Sequence, residues 1–104
     1  MQVVICGLTI PIVLRSEKAL KNDLGLFDSE KEQIELLRRM DIKIRRKTLI
    51  HECFHAFLFI TGYNELLQDI SPNAEEAMTR AFEQAFNDLF VFDDDVERWI
   101  RGDI

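Results

Sequence analysis

Cysteine is scarce in this 104-residue chain, with only Cys6 and Cys53 present. One pair does not make the dense disulfide framework of a small secreted domain, and each lies in an apolar run, so both are expected as reduced core residues. Basic charge is also short: 13 Lys and Arg stand against 19 Asp and Glu, for a net charge of -6. Affinity for nucleic acid comes largely from phosphate neutralisation, so a general polyanion binder is excluded and no nucleic-acid partner is expected. The local exception is residues 38–47, where Arg38, Arg39, Lys43, Arg45, Arg46 and Lys47 gather. They read as a solvated helix face, with an anion or acidic-peptide contact as the alternative. No apolar run approaches the roughly 20 residues that span a bilayer. The opening stretch, MQVVICGLTIPIVL, lacks a basic leader and a small-residue cleavage site, and Gly7 and Pro11 break it. A soluble, cytoplasmic protein without a membrane partner is the expectation.

Apolar side chains are abundant. Hydrophobic residues make up 47% of the chain, eight of them Phe, enough to offset the entropy of ordering one small domain over residues 1–104. Residues 3–14 are rich in β-branched side chains around Pro11, which suits an edge strand or two short strands. SEKALKNDLG then offers Ser16 as an N-cap and Gly25 as a terminator for a helix of two turns. In LGLFDSEKEQIELL, propensity favours a helix capped by Asp28 or Ser29, and a turn between strands 24–27 and 33–37 is the alternative. From Asp41, a plausible N-cap, a long and largely buried helix runs to Gly62 at its C-cap. Residues 63–70 read as a connection. Ser71-Pro72 then opens a helix whose Met78, Ala81, Phe82, Ala85, Phe86 and Leu89 recur with a 3.6-residue period. Asp93 to Asp95 cap a last short helix carrying Val96, Trp99 and Ile100. No internal repeat and no low-complexity linker is present.

The one sharp motif is His51-Glu52-Cys53-Phe54-His55, an H-E-x-x-H pattern on the long helix. Residues four apart share a helix face, so both imidazoles can bind one zinc ion while Glu52 addresses its water. Average composition produces the pattern in roughly a few of every thousand chains of this length. These are also the only two histidines in the chain. Two imidazoles and a carboxylate buried among Phe and Leu are costly without partners, and a zinc ion supplies one for all three. Thr61 and Leu58 stand where a metzincin would carry its third His and its Gly, so that subclass is excluded. An acid on the next helix is the natural third ligand. Glu75 lies on the edge of the stripe of Met78 and Phe82 and is favoured, whereas Glu76 aligns with Arg80 and Glu83 on the polar face. Asp69 and Glu65 are weaker candidates.

TLIHECFHAFLFITGY followed by NAEEAMTRAFEQAF resembles the small ImmA/IrrE-type zinc metallopeptidases, especially the short phage and prophage forms, over residues 47–89. The resemblance implies an α+β fold with a compact zincin-like core, in which a small antiparallel sheet packs on the HExxH helix and a glutamate-bearing helix follows. It implies a strand pair before the active-site helix, so residues 24–27 and 34–37 become a hairpin. It also implies His51, His55 and Glu75 as zinc ligands and Glu52 as general base.

The expected activity is hydrolysis of peptide bonds by zinc-activated water, with Glu52 accepting the water's proton and passing it to the leaving amine. A protein or peptide substrate follows. Tyr63, just past the helix end, is a minor candidate for an oxyanion donor, and Thr48, one turn before His51, for a bond to a ligand's partner; packing is the commoner role for each. A catalytically silent zinc-binding protein acting on a protein partner is the second reading, against which Glu52 argues. A metal-free helical interaction module is the third.

Overall fold

The computed structural model describes residues 1–87 and 91–103. Two strands, β1 (Gln2–Ile5) and β2 (Leu8–Arg15), form an antiparallel hairpin with Ile5 opposite Leu8. The two residues between them, Cys6 and Gly7, both take positive φ (51° and 80°), the backbone that matches strand twist in a tight hairpin. Cys6 is therefore exposed in a turn rather than buried in a core, and both cysteines are free thiols.

Ser16 caps α1 (Glu17–Leu20) by accepting from the Ala19 N–H, but the helix stops after one turn. Lys21 and Asn22 enter the left-handed region at φ 52° and 75°, four residues before the glycine expected to end the helix. Gly25 instead opens β3 (Gly25–Asp28), which pairs antiparallel with β4 (Gln33–Leu37), as the resemblance implied and propensity did not. Asp28 accepts from the Glu30 and Lys31 N–H groups in the intervening turn, so the polar stretch that reads as a helix start is the hairpin connection.

The sheet order is β1-β2-β4-β3, with β2 and β4 parallel. The fold is α+β as expected, but the sheet is mixed rather than antiparallel. After leaving β2 the chain passes through α1, lays down β3 on the outside and returns as β4 beside β2.

Asp41 accepts from the Lys43 N–H at 2.8 Å and starts α2 (Ile42–Thr61), which Gly62 closes in the left-handed conformation. Leu49, Cys53 and Ile60 of this helix pack with Ile10, Ile12, Ile34 and Leu36 of the sheet. The helix also presents Phe59 and Ile42 to solvent, so its burial is one-sided. Gly62 serves immediately as the entry to α3 (Tyr63–Ile70), and the segment that reads as a connection is thus helical. Ser71 closes α3, and α4 (Ala74–Phe86) begins two residues later than the Ser-Pro signal indicated, with Asn73 at its N-cap. Leu89, assigned to the apolar stripe of this helix, lies outside the described residues.

Asp93 caps α5 (Asp94–Ile100), whose Val96 and Ile100 complete the core. The basic cluster has internal partners. Arg46 Nη1 donates to both carboxylate oxygens of Glu97 (2.5 and 2.6 Å), the Arg45 guanidinium lies 5.2 Å from the centroid of Trp99, and Lys47 sits 3.5 Å from Glu83. Burial pulls the Glu97 pKa upward, but the Arg46 hydrogen bonds, the Phe92 N–H and nearby positive charge outweigh it and hold the carboxyl below its ordinary value. Much of the cluster thus ties α5 and α4 to α2.

One glycine sets how closely β3 approaches α2. A Cβ on Gly25 would sit 2.9 Å from the Glu35 carbonyl oxygen, the Leu36 Cδ2 and the Thr48 Cγ2 at once. Thr48 therefore has a packing role, as the wall against which β3 rests one turn ahead of His51. Gly25→Ala is expected to cost about 1–3 kcal/mol, the range for forcing an extra carbon into a packed site. Urea unfolding checks this, and an unchanged midpoint would show that β3 can move away freely.

Candidate active site

His51, Glu52 and His55 lie in the middle of α2, where the chain turns from the apolar packing of Leu49 and Ile50 toward α4. The two imidazole rings stand side by side with centroids 5.0 Å apart. Facing them, α4 brings three glutamates. His55 Nδ1 meets Glu75 Oε2 at 2.5 Å, and His51 Nδ1 meets Glu83 Oε2 at 2.7 Å. The other nitrogens converge on a single carboxylate: His55 Nε2 is 3.0 Å from Glu76 Oε2, and His51 Nε2 is 3.2 Å from Glu76 Oε1. Among the described residues, His51, His55 and Glu76 form a group with potential ligand atoms within 4.8 Å of one another.

The phase of α4 explains why Glu76, and not the expected Glu75, occupies this point. Its apolar residues recur at helical spacing, yet Met78 and Phe86 are exposed. The face turned toward α2 carries Glu76, Thr79 and Glu83, with Thr79 fully buried and its hydroxyl donating to the Glu75 carbonyl at 2.8 Å. Of the apolar set, Phe82 stacks on Phe54 of α2 at 4.1 Å between centroids, and Phe86 follows it at 4.6 Å from the Phe82 ring. Carboxylates face inward because they meet imidazole nitrogens there. Glu75, one residue earlier and 100° around the helix, reaches the far side of the His55 ring instead.

Whether a metal suits these residues can be tested on the donor set itself. A neutral imidazole carries one N–H and one lone pair. If each Nδ1–H donates to its own carboxylate, Glu75 or Glu83, then both Nε2 lone pairs point at the acceptor oxygens of Glu76. That arrangement sets lone pair against lone pair unless a cation stands between them or a proton is added to each ring. Arms of about 2.1 Å at tetrahedral angles place ligand atoms roughly 3.4 Å apart, close to the separations of Nε2 from the Glu76 oxygens. Glu75 and Glu83 are placed as metal-bound histidines require, fixing each ring's tautomer and orientation from behind. Lys47 in turn neutralises Glu83.

Glu52 is buried, only 6% exposed, yet it lines the same cavity. Burial raises its pKa from 4.5 to about 7; His51 opposes that rise, and Glu76, Asp23 and Glu83 add to it. Its carboxyl is poised to exchange a proton near neutrality. The neighbouring Cys53 thiol is pushed up to about 12 by burial and by Glu52, which keeps it protonated and inert.

The cavity in front of these residues has a volume of about 620 Å³. β3 forms one wall with Gly25, Leu26 and Phe27, and Phe59 of α2 packs against Phe27 at 5.6 Å between centroids. α3 supplies Asn64 and Gln68, one helical turn apart, and Asp23 stands at the turn into β3. Tyr63, the candidate oxyanion donor, is half-exposed and does not line the cavity. Asn64 and Gln68 carry no signal in a segment whose sequence reads as a connection; as a helix, its i, i+4 polar pair marks one face. Asp69 and Glu65 are exposed and remain outside the group.

No protein-family model, curated protein or solved structure matches the chain. No helix among the described residues is long and apolar enough to cross a membrane.

Proposed function

We propose that the chain is a zinc-dependent metallopeptidase in which His51 Nε2, His55 Nε2 and the Glu76 carboxylate hold one zinc ion and Glu52 is the general base. The observation that carries this reading is the donor set: two imidazole nitrogens and a carboxylate converge, while Glu75 and Glu83 occupy the opposite ring nitrogens. The likeness of residues 47–89 to small ImmA/IrrE-type enzymes points the same way. When bound, zinc supplies a Lewis acid that acidifies water and polarises a carbonyl.

The chain's own residues do the rest. Glu52 accepts a proton from the attacking water and passes it to the leaving nitrogen as the amide C–N bond breaks. Glu75 and Glu83 hold the imidazoles against rotation. Among the described residues β3 is the outer strand of the sheet, paired with β4 alone, and it lines the cavity with Gly25 to Phe27, so an extended peptide can lie along its outer edge. Asn64 and Gln68 offer amide donors to the peptide's carbonyls from the opposite wall. A site that merely stored metal would have no use for Glu52, whose buried charge opposes folding.

Elemental analysis of purified wild type beside His51→Ala tests the reading. One zinc per chain, lost in the variant, with zinc-dependent cleavage of an unfolded protein substrate, is the expected result. Zinc without cleavage would leave a metal-holding binding protein; no zinc after reconstitution would remove both readings.

A further inference from the structure

We propose that the cleft selects peptides carrying an Arg or Lys side chain close to the bond to be cut, with Asp23 pairing with its charge and the joined rings of Phe27 and Phe59 giving the same cavity an apolar wall. This rests on the metallopeptidase reading for its substrate, but not for its physics. The cavity lining includes Asp23, Glu52, Glu75 and Glu76, and neither Lys nor Arg. Asp23, Glu75 and Glu76 keep the cleft acidic even where Glu52 is protonated, and low-dielectric walls focus that field on whatever enters.

Among these acids Asp23 is the one without an internal task. Glu75 and Glu76 meet the imidazoles and Glu52 is buried, whereas the Asp23 side chain makes no hydrogen bond or ion pair among the described residues. Its position is fixed by an unusual backbone: Lys21 and Asn22 both hold positive φ, turning the chain sharply so that Asp23 enters the cavity lining just before β3 begins. Non-glycine residues in that region are uncommon, and two in succession mark a turn held against local preference. In the same cavity Phe59 is 38% exposed and packs on Phe27. A cavity that offers both an aromatic wall and an unpartnered carboxylate suits a peptide with apolar groups and a cationic head.

Blocked hexapeptides of Ala and Gly, with one Arg, norleucine or Glu at each position in turn, are the probe. Titrating them into isotope-labelled Glu52→Gln protein, metal-free and zinc-loaded, reads binding by amide shifts at residues 23–28 without turnover. The Arg peptides are expected to bind about fivefold tighter than the norleucine peptides, the scale of a partly solvated ion pair. Asp23→Asn is expected to erase that preference, and Asp23→Lys to transfer it to the Glu peptides. Equal binding of Arg and norleucine peptides, or a preference that survives Asp23→Asn, would overturn the proposal. A preference that behaves as expected in a protein that neither holds zinc nor cleaves would uphold the cationic subsite and remove the peptidase reading, so the two fail separately.

Discussion

Glu52→Gln is expected to abolish peptide cleavage and, in the same protein, to make the metal-free fold more stable above pH 7. The two effects have one origin. Burial, moderated by His51 and reinforced by Glu76, Asp23 and Glu83, lifts the Glu52 pKa from 4.5 to about 7. A carboxyl whose folded pKa is raised favours the protonated fold. The associated stability is therefore present below pH 4.5 and is lost progressively as pH rises through 7. At 1.36 kcal/mol per unit the loss amounts to about 3 kcal/mol, or upwards of roughly 10 °C in Tm for a domain of this size. Glutamine does not titrate and escapes it. Urea unfolding of both proteins in chelator should thus show a difference in stability that grows by about 3 kcal/mol between pH 4.5 and pH 8. Carboxylates that do not interact with Glu52 titrate alike in both proteins and cancel in the comparison. With zinc restored, the variant should keep its metal and lose about 10²- to 10⁴-fold in rate, the usual contribution of a general base. A difference that stays flat with pH would mean that Glu52 is solvated in solution. Cleavage at the wild-type rate would remove it from the mechanism.

How far the sequence revealed this arrangement depends on whether the deciding interactions are local. Asp41, Gly62 and the intervening pattern marked α2 to the residue, because capping is written in adjacent positions. The two imidazoles fell on one face because spacing in a helix is geometry. The parallel pairing of β2 with β4 had no local signature: β3 lies on the outside, so the strand that follows it in sequence is inserted between β2 and β3. α3 was hidden because Gly62 ends one helix and starts the next, leaving no separate cap to read. That Glu76, and not the Glu75 favoured from the sequence, meets Nε2 of both histidines has a different reason. Apolar periodicity predicts which face of a helix points inward only where the neighbour is apolar. α2 presents imidazoles there, so the polar face turned in and left Met78 45% exposed. A cluster of ionisable residues on one helix can reverse the orientation of the next, and hydrophobic phase alone does not register it.

The ligand assignment yields an ordering of zinc affinities that the sequence alone would have ranked differently. Glu76 touches Nε2 of both histidines, whereas Glu75 and Glu83 each touch one Nδ1. Structural zinc sites bind with apparent free energies of about 10–16 kcal/mol over four ligands, roughly 3 kcal/mol for each. Glu76→Gln replaces a charged ligand with a poor one and is expected to weaken zinc binding roughly a hundred- to thousandfold. Glu75→Gln and Glu83→Gln keep an oxygen able to accept from Nδ1–H but lose the charge that makes the imidazole more basic, and losses of about 10- to 100-fold are typical of such partners. Competition against a chromophoric chelator at fixed pH measures all three. Glu83→Gln has a further signature, because Lys47 Nζ lies 3.5 Å from the same carboxylate and would lose its partner. The salt dependence of zinc affinity should consequently change in Glu83→Gln and not in Glu75→Gln. If Glu75→Gln proved the most damaging of the three, the roles of the adjacent glutamates would be exchanged. The His55 ring would then bind metal through Nδ1, with Glu76 supporting it from behind.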